Sequence, residues 1–234
     1  MRKLIVLASL VLLTALVQAQ TAPATPAQAA LDKMLKAYVD IKSGIISMDI
    51  KVLHPDYAGS QQTELRLLRP KKLWWHGKFK PEKAGSAPFD VFVISDGKEV
   101  YVFDSKTPAE YRQGKMPDPI RAIDLADYFS MGMSNMFLRA MTGMPERVLG
   151  SRTLELKEKD GAQVLLFKQG ESTDELTLDP ATHRVVKVAN FEGDKLMAEG
   201  TVSYARMGEE LEDAQFTFTP PAGAQMKKLE AEDG

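Results

Sequence analysis

The order of strand-like segments and turns constrains the fold more than any other feature of this 234-residue chain. Short runs rich in β-branched and aromatic residues follow one another closely, and connections such as Asp96-Gly97 and Asp160-Gly161 carry tight-turn residues. Strands that are joined by short turns pair antiparallel. The predicted strands are 45–53, 62–68, 72–79, 89–95, 99–104, 110–115, 152–157, 163–169, 175–179, 184–191, 195–207 and 214–219.

Two segments have helical periodicity instead. Residues 27–42 repeat apolar side chains every three or four positions, and residues 120–144 do the same. A sheet with this many strands tends to curl, and the two helical segments would cover its concave side. We therefore predict a mostly β (α+β) fold, in which a curved antiparallel sheet forms an incomplete barrel covered by helices. The alternative is a closed, lipocalin-like barrel.

The amino terminus is typical of an export signal. Arg2 and Lys3 precede an apolar run, 4–17, and small residues follow, with Ala19 as the expected cleavage position. We expect a signal peptide at 1–19, a flexible leader at 20–26 and a single domain at 27–234, located in the periplasm. The chain has no cysteine, so neither a lipid anchor on cysteine nor a disulfide can form.

Composition and motifs argue against several classes of function. The net charge is -2, and no stripe of Lys and Arg interleaved with aromatic residues is present, so we expect no nucleic-acid binding. His54, His76 and His183 have no partner at metal-ligand spacing, so we expect no metal and no cofactor. Ser134 lacks the second glycine of a nucleophile elbow, which leaves a hydrolase as the weakest alternative.

The predicted strand 62–68 is followed directly by a charged residue, Arg69. Strand alternation places Leu65, Leu67 and Arg69 on the same face, directly before Pro70. A guanidinium keeps its charge at ordinary pH, so an inward Arg69 would need acceptors from another part of the fold. The alternative is that Pro70 ends the strand at Leu68 and Arg69 turns into water.

Further candidate binding residues come from a Met-rich segment and from two adjacent tryptophans. Thioether side chains adapt to ligands of irregular shape, although an ordinary packed helix would have the same composition. Trp74 and Trp75 must face opposite sides of a strand, and alternation does not decide which of them is inward. The predicted ligand-binding residues are Leu65, Leu67, Arg69, Trp74, Phe129, Met133, Met136, Phe137 and Met141.

Three segments in register resemble the LolA family of periplasmic carriers of outer-membrane lipoproteins: LLRPKKLWWH at 67–76, VISDGKEVYVFD at 93–104 and FTFTPPAGA at 216–224. The resemblance implies a half-barrel whose hydrophobic concave side holds lipoprotein acyl chains. It also implies a role for Arg69, which matches the family arginine that bonds to backbone carbonyls of the lid. The segment at 78–88 is longer than its family counterpart.

The same resemblance bears on partners and activity. It implies a monomer that performs no covalent chemistry, with lipoprotein acyl chains as its ligand. An inner-membrane release complex and an outer-membrane acceptor would be its protein partners. Because related folds also act as lipid- or lipoprotein-binding sensors without transfer activity, a sensor is the alternative function.

Overall fold

The computed structural model describes residues 24–115, 140–141 and 143–229. The predicted signal peptide lies outside the described residues, and so does most of the predicted helical segment 120–144. Among the helices that are described, none is long and apolar enough to cross a membrane.

The first helix, α1, spans Pro26–Val39 and matches the predicted amphipathic segment. Thr25 precedes it, and the Thr25 Oγ1 accepts a hydrogen bond from the backbone N–H of Gln28 at 3.1 Å, while Pro26 occupies the first turn. One face of α1 is buried because its apolar residues recur at helical spacing. These residues are Ala27, Ala30, Leu31, Met34, Leu35 and Tyr38.

The rest of the described chain is almost entirely β-structure. The elements in chain order are β1 (Ser43–Val52), β2 (Gly59–Leu68), β3 (Lys72–Pro81), β4 (Phe89–Asp96), β5 (Val100–Asp104), β6 (Glu110–Gly114), α2 (Pro145–Leu149), β7 (Thr153–Lys159), β8 (Ala162–Gln169), β9 (Ser172–Leu178), β10 (Val185–Glu192), β11 (Lys195–Ala205), a 3-10 helix (Asp213–Phe216) and β12 (Gln225–Lys228).

All twelve strands belong to one sheet, in the order β12-β6-β5-β4-β3-β2-β1-β11-β10-β9-β8-β7. Every pair is antiparallel except β12 with β6, which is parallel. The prediction of a mostly β, largely antiparallel fold is therefore confirmed. Within the described part of the chain, β7 and β12 are edge strands, so the sheet is open and is not the closed barrel that was the alternative.

One face of the sheet, the interior face, carries most of the core. Ile46, Leu65, Trp75, Val93 and Val102 lie side by side on this face, on five neighbouring strands, and all are buried. The helix α1 lies against β7 and β8. One continuous hydrophobic cluster joins its buried side chains to the interior face of β1–β5 and β8–β11.

The predicted strand at 214–219 is wrong. Residues Asp213–Phe216 form a 3-10 helix, because the Gln215 side chain accepts a hydrogen bond from the backbone N–H of Glu212 at 3.1 Å. The buried Phe216 ring belongs to this turn, which lies beside β3 and β4. The short edge strand β12 was not predicted, since its four residues are all exposed and show no alternation. The other predicted strands are present with shifted ends.

Candidate functional site

Arg69 follows the end of β2 and connects three separate parts of the chain. Its Nε donates a hydrogen bond to the carbonyl oxygen of Ile41 at 2.8 Å. Its Nη2 donates to the carbonyl oxygens of Met141 at 3.0 Å and of Tyr38 at 3.3 Å. We call Arg69 and these three carbonyls the latch. It ties the end of β2 to the end of α1 and to the segment before α2.

The carbonyls of the latch supply hydrogen-bond acceptors to the charged guanidinium of Arg69, whose burial would otherwise be unfavourable. A partly buried guanidinium needs acceptors, and the carboxyl end of a helix offers carbonyl oxygens at the negative end of its dipole. The strand β2 ends at Leu68, as Pro70 predicts, yet Arg69 turns towards carbonyls rather than away into water. All three contacts are non-covalent hydrogen bonds.

A pair of tyrosines provides a second anchor for α1. The backbone N–H of Val185 donates to the Tyr38 hydroxyl at 2.9 Å, and the Tyr204 hydroxyl donates to the Val185 carbonyl at 2.8 Å. The two hydroxyls lie 2.6 Å apart. Since Tyr204 has already used its only proton, Tyr38 is the donor between them. Burial raises the pKa of both phenols above the ordinary value. The network holds the last turn of α1 against β10 and β11.

The structure brings four of the predicted binding residues together. Leu65 and Leu67 are buried on the interior face, and Arg69 follows them at its rim. Met141 is buried as well, and its carbonyl belongs to the latch. Phe129, Met133, Met136 and Phe137 lie outside the described residues, so their role stays a prediction.

Trp74 does not lie with these residues. It is on the outer face of β3, where the Arg66 guanidinium is 4.2 Å from the centre of its ring and His76 contacts it edge-on. The inward tryptophan is Trp75, which pairs with Leu65 across β2 and β3 and is 1% exposed. Strand alternation allowed either tryptophan to face the interior. The sequence-based choice of Trp74 is therefore corrected: the tryptophan on the interior face is Trp75.

The interior face also carries polar side chains that the sequence analysis missed. Gln61 and Thr63 are buried, and the Gln61 Nε2 donates to the Thr63 Oγ1 at 3.4 Å. Both have the parity of Leu65 and Leu67 on β2. Thr63 lies within the predicted strand 62–68, and Gln61 lies one residue before it, so alternation was sufficient to place both on the interior face. Tyr204 was also missed, because its hydrogen bonds to Tyr38 and Val185 join distant parts of the chain.

A surface groove of about 630 Å³ reaches the latch from outside. It contains the ion pair of Lys72 with Asp213, which holds the 3-10 helix against the start of β3. The groove is lined by Leu68, Arg69, Pro70, Lys71, Lys72, Asp96, Gly97, Lys98 and Asp213. The Arg69 side chain of the latch is therefore accessible from this groove.

The described groups of this site can bind a ligand through apolar contacts and hydrogen bonds. In the part of the chain that the structure describes, no three His, Cys, Asp or Glu side chains are close enough to hold a metal ion. Ser134, the candidate nucleophile, lies outside the described residues. The described groups of the site are apolar side chains, hydrogen-bond donors and backbone carbonyls.

Comparisons with known proteins find only distant similarity. No family model and no curated protein matches the chain. The structure of MucB in complex with MucA(peri) is 14% identical, with a TM-score of 0.43, over 87% of this chain and 62% of that chain. The chain thus spans less than two thirds of MucB.

Two further structures are similar at the same level. LprF from Mycobacterium bovis is 14% identical, with a TM-score of 0.37, over 87% of this chain and 100% of that chain. A LolA superfamily protein from Nitrosomonas europaea is 13% identical, with a TM-score of 0.34, over 83% of this chain and 99% of that chain. Similarity at this level does not indicate a function.

Proposed function

We propose that this protein is a periplasmic carrier that holds the acyl chains of lipoproteins against its interior face and passes them towards the outer membrane. It acts by binding and performs no covalent chemistry. The observation that carries this proposal is the latch, in which Arg69 joins α1 and the segment at Met141 over an apolar interior. In the proposed cycle, cargo opens the latch, and closing the latch expels cargo.

The energies of the exchange support this cycle. Burying an acyl chain of roughly a dozen methylenes gains about 10 kcal/mol, at about 0.8 kcal/mol per methylene. Displacing α1 re-exposes Leu31, Met34, Leu35 and Tyr38, which costs a similar amount at about 1.5–3 kcal/mol for each large side chain. Since these two terms nearly cancel, hydrogen bonds worth a few kcal/mol at the latch decide which state is favoured.

Transfer requires partners at both membranes. In this proposal an inner-membrane release complex loads the carrier, and an outer-membrane acceptor takes the cargo from it. A lipid-binding sensor would use the same interior but would not pass cargo on. Movement of a bound acylated peptide from donor vesicles to acceptor vesicles, mediated by the protein, distinguishes the carrier from the sensor.

A disulfide staple tests whether the covering segments must separate. A Cβ atom added at Gly143 would lie 3.8 Å from the Cβ of Val39, which is within disulfide range. The chain has no other cysteine. We expect the double variant Val39→Cys, Gly143→Cys to bind a fluorescent fatty acid at least about tenfold more weakly when oxidised, since the closed state is then fixed.

The reduced double variant and the single variant Val39→Cys are the controls for this experiment. Reduction should restore binding to the level of the single variant, which shows that the substitutions themselves do not block the interior. Equal affinity in the oxidised and reduced forms would mean that α1 and the segment at Gly143 need not separate from each other to admit ligand, and a cycle that opens between these two segments would be wrong.

A further inference from the structure

The indole N–H of Trp75 is a buried donor at the centre of the interior. Trp75 is among the largest fully buried side chains. Among the described residues, no acceptor lies within hydrogen-bond distance of its Nε1. Buried tryptophan N–H groups usually have a partner, because water cannot reach them. This donor is therefore suited to an acceptor that enters from outside the chain.

The indole ring of Trp75 lies over Gly77, whose cross-strand neighbours form one row of side chains across the sheet. A Cβ atom added at Gly77 would lie 2.8 Å from Cη2 and 3.0 Å from Cζ2 of Trp75, so the ring folds over Gly77. Cζ3 is farther away, at 3.6 Å, so the edge of the ring that carries Cζ2 is turned towards Gly77. Cζ2 is bonded to the ring carbon that carries Nε1, so Nε1 belongs to this edge. Gly77 pairs with Thr63 on β2. Thr63 therefore occupies the position on β2 next to the glycine over which the ring lies.

Thr63 and its neighbour Gln61 make this row polar. Both are buried, and they are hydrogen-bonded to each other. Burying an amide and a hydroxyl is costly, and a surface that only had to hold a hydrocarbon chain would not need them. Together with Trp75 they supply a hydroxyl, an amide and an indole N–H, of which the indole can only donate.

The surroundings of these three side chains decide what kind of acceptor fits. Their cross-strand neighbours on the interior face are apolar: Met48 and Ile50 on β1, Val91 and Phe89 on β4, and Phe79 on β3. Among the described residues of these rows, the charged side chain is Asp104 on β5, which pairs with Val91 and is an acid, so it offers no positive charge. A carboxylate or phosphate would be buried there without a counter-ion, whereas a neutral carbonyl oxygen needs only a donor.

We propose, resting on the proposed function, that Trp75, Thr63 and Gln61 form a subsite for the carbonyl oxygen of an ester-linked acyl chain. The Trp75 N–H donates to this oxygen, and the chain extends from it along the apolar part of the interior face. The subsite makes the protein selective for acyl esters over alkyl chains that lack the carbonyl. The hydrocarbon supplies most of the affinity, and the carbonyl supplies position and selectivity.

Two probes that differ only at the carbonyl test the subsite. Monopalmitoylglycerol carries an ester, and its hexadecyl ether analogue carries the same headgroup and an alkyl chain of equal length. The chain has two tryptophans, so two indole N–H proton signals are expected in NMR spectra. We expect the ester to shift the Trp75 signal downfield and to bind roughly three- to tenfold more tightly than the ether. The Trp74 signal, from the outer face, should not move and serves as an internal control.

A second test of the subsite removes the indole N–H of Trp75. Replacing Trp75 with its isostere benzothienylalanine removes the N–H but keeps the shape of the ring, so the core should stay packed. We expect the ratio of ester to ether affinity to fall to about one in this variant, and to fall in Thr63→Val as well. Trp74→Phe should keep the ratio of the original protein.

The outcomes separate the two proposals. If neither probe binds, the proposed function fails and the subsite fails with it. If both probes bind equally and the Trp75 signal moves with neither, the interior accepts acyl chains but the carbonyl subsite is wrong. A shift of the Trp75 signal with the ester alone, lost in Thr63→Val, would support the subsite.

Discussion

Replacing Arg69 with leucine is expected to raise the affinity for acyl chains by about tenfold or more and to slow their release. The guanidinium makes three hydrogen bonds to carbonyls of the covering segments, and a charged hydrogen bond contributes about 1.5–3 kcal/mol. Losing them favours the open state. When a larger fraction of the protein is competent to bind, the apparent dissociation constant falls in proportion. Displacement of a fluorescent fatty acid measures both quantities.

Arg66 on β2, three residues before Arg69, offers a matched control. It lies on the outer face, where it pairs with Glu64 at 2.7 Å and stacks on Trp74, away from α1. Arg66→Leu removes the same charge and is expected to leave acyl affinity within about twofold of the original protein. Arg69→Lys keeps the charge but lacks the planar fork that reaches several carbonyls, so its affinity should be intermediate. Identical affinities for Arg69→Leu and Arg66→Leu would rule out the latch.

Replacing Tyr38 with phenylalanine is expected to lower the free energy of unfolding by about 1–3 kcal/mol. The change removes the hydroxyl that accepts from the buried N–H of Val185 and donates to Tyr204, and it leaves that N–H without its partner. Chemical denaturation measures the loss. Tyr57→Phe is the control, because Tyr57 is 46% exposed and should change stability by less than about 0.5 kcal/mol.

The same tyrosine pair is expected to make the free energy of unfolding fall at alkaline pH. Burial raises the pKa of Tyr38 and Tyr204 in the folded state, whereas an unfolded tyrosine titrates at about 10. Below that pH both states are neutral and the contribution to stability is complete. Above it the unfolded state loses protons that the folded state keeps, so the free energy of unfolding falls by about 1.4 kcal/mol per pH unit for each phenol.

Tyr38→Phe should reduce this alkaline slope, because one of the two phenols is gone. Denaturation curves at several pH values between neutral pH and about 11 measure the slope for both proteins. An unchanged slope in the variant would mean that Tyr38 is not the group that retains its proton.

Local pattern was sufficient for every strand except β12, and for deciding which side chains of one strand share a face. Alternation along β2 placed Leu65 and Leu67 together, and in the structure both are buried next to Trp75. Alternation left Arg69 undecided between the interior and water. The resemblance of the segment around Pro70 to a family motif favoured the inward position, and the hydrogen bonds to Tyr38, Ile41 and Met141 agree with it.

Contacts between distant segments were beyond what local pattern can predict. The bond between the Tyr38 and Tyr204 hydroxyls joins residues 166 positions apart, and neither neighbourhood carries a signal for it. The two phenylalanines at 216 and 218 suggested a strand by alternation, but the Gln215 side chain bonds to the backbone and forms a 3-10 turn. Adjacent tryptophans posed a problem of the same kind, because alternation fixes their relative faces and not which face is interior.

Photo-crosslinking with a diazirine-labelled fatty acid shows whether acyl chains are held against the interior face of the sheet. The probe is bound to the protein, activated with light and located by mass spectrometry of proteolytic fragments. We expect adducts on interior-face residues such as Leu65, Leu67 and Trp75, with a higher yield in Arg69→Leu. Adducts confined to outer-face residues such as Trp74 and Phe92, with the interior unlabelled, would contradict this expectation.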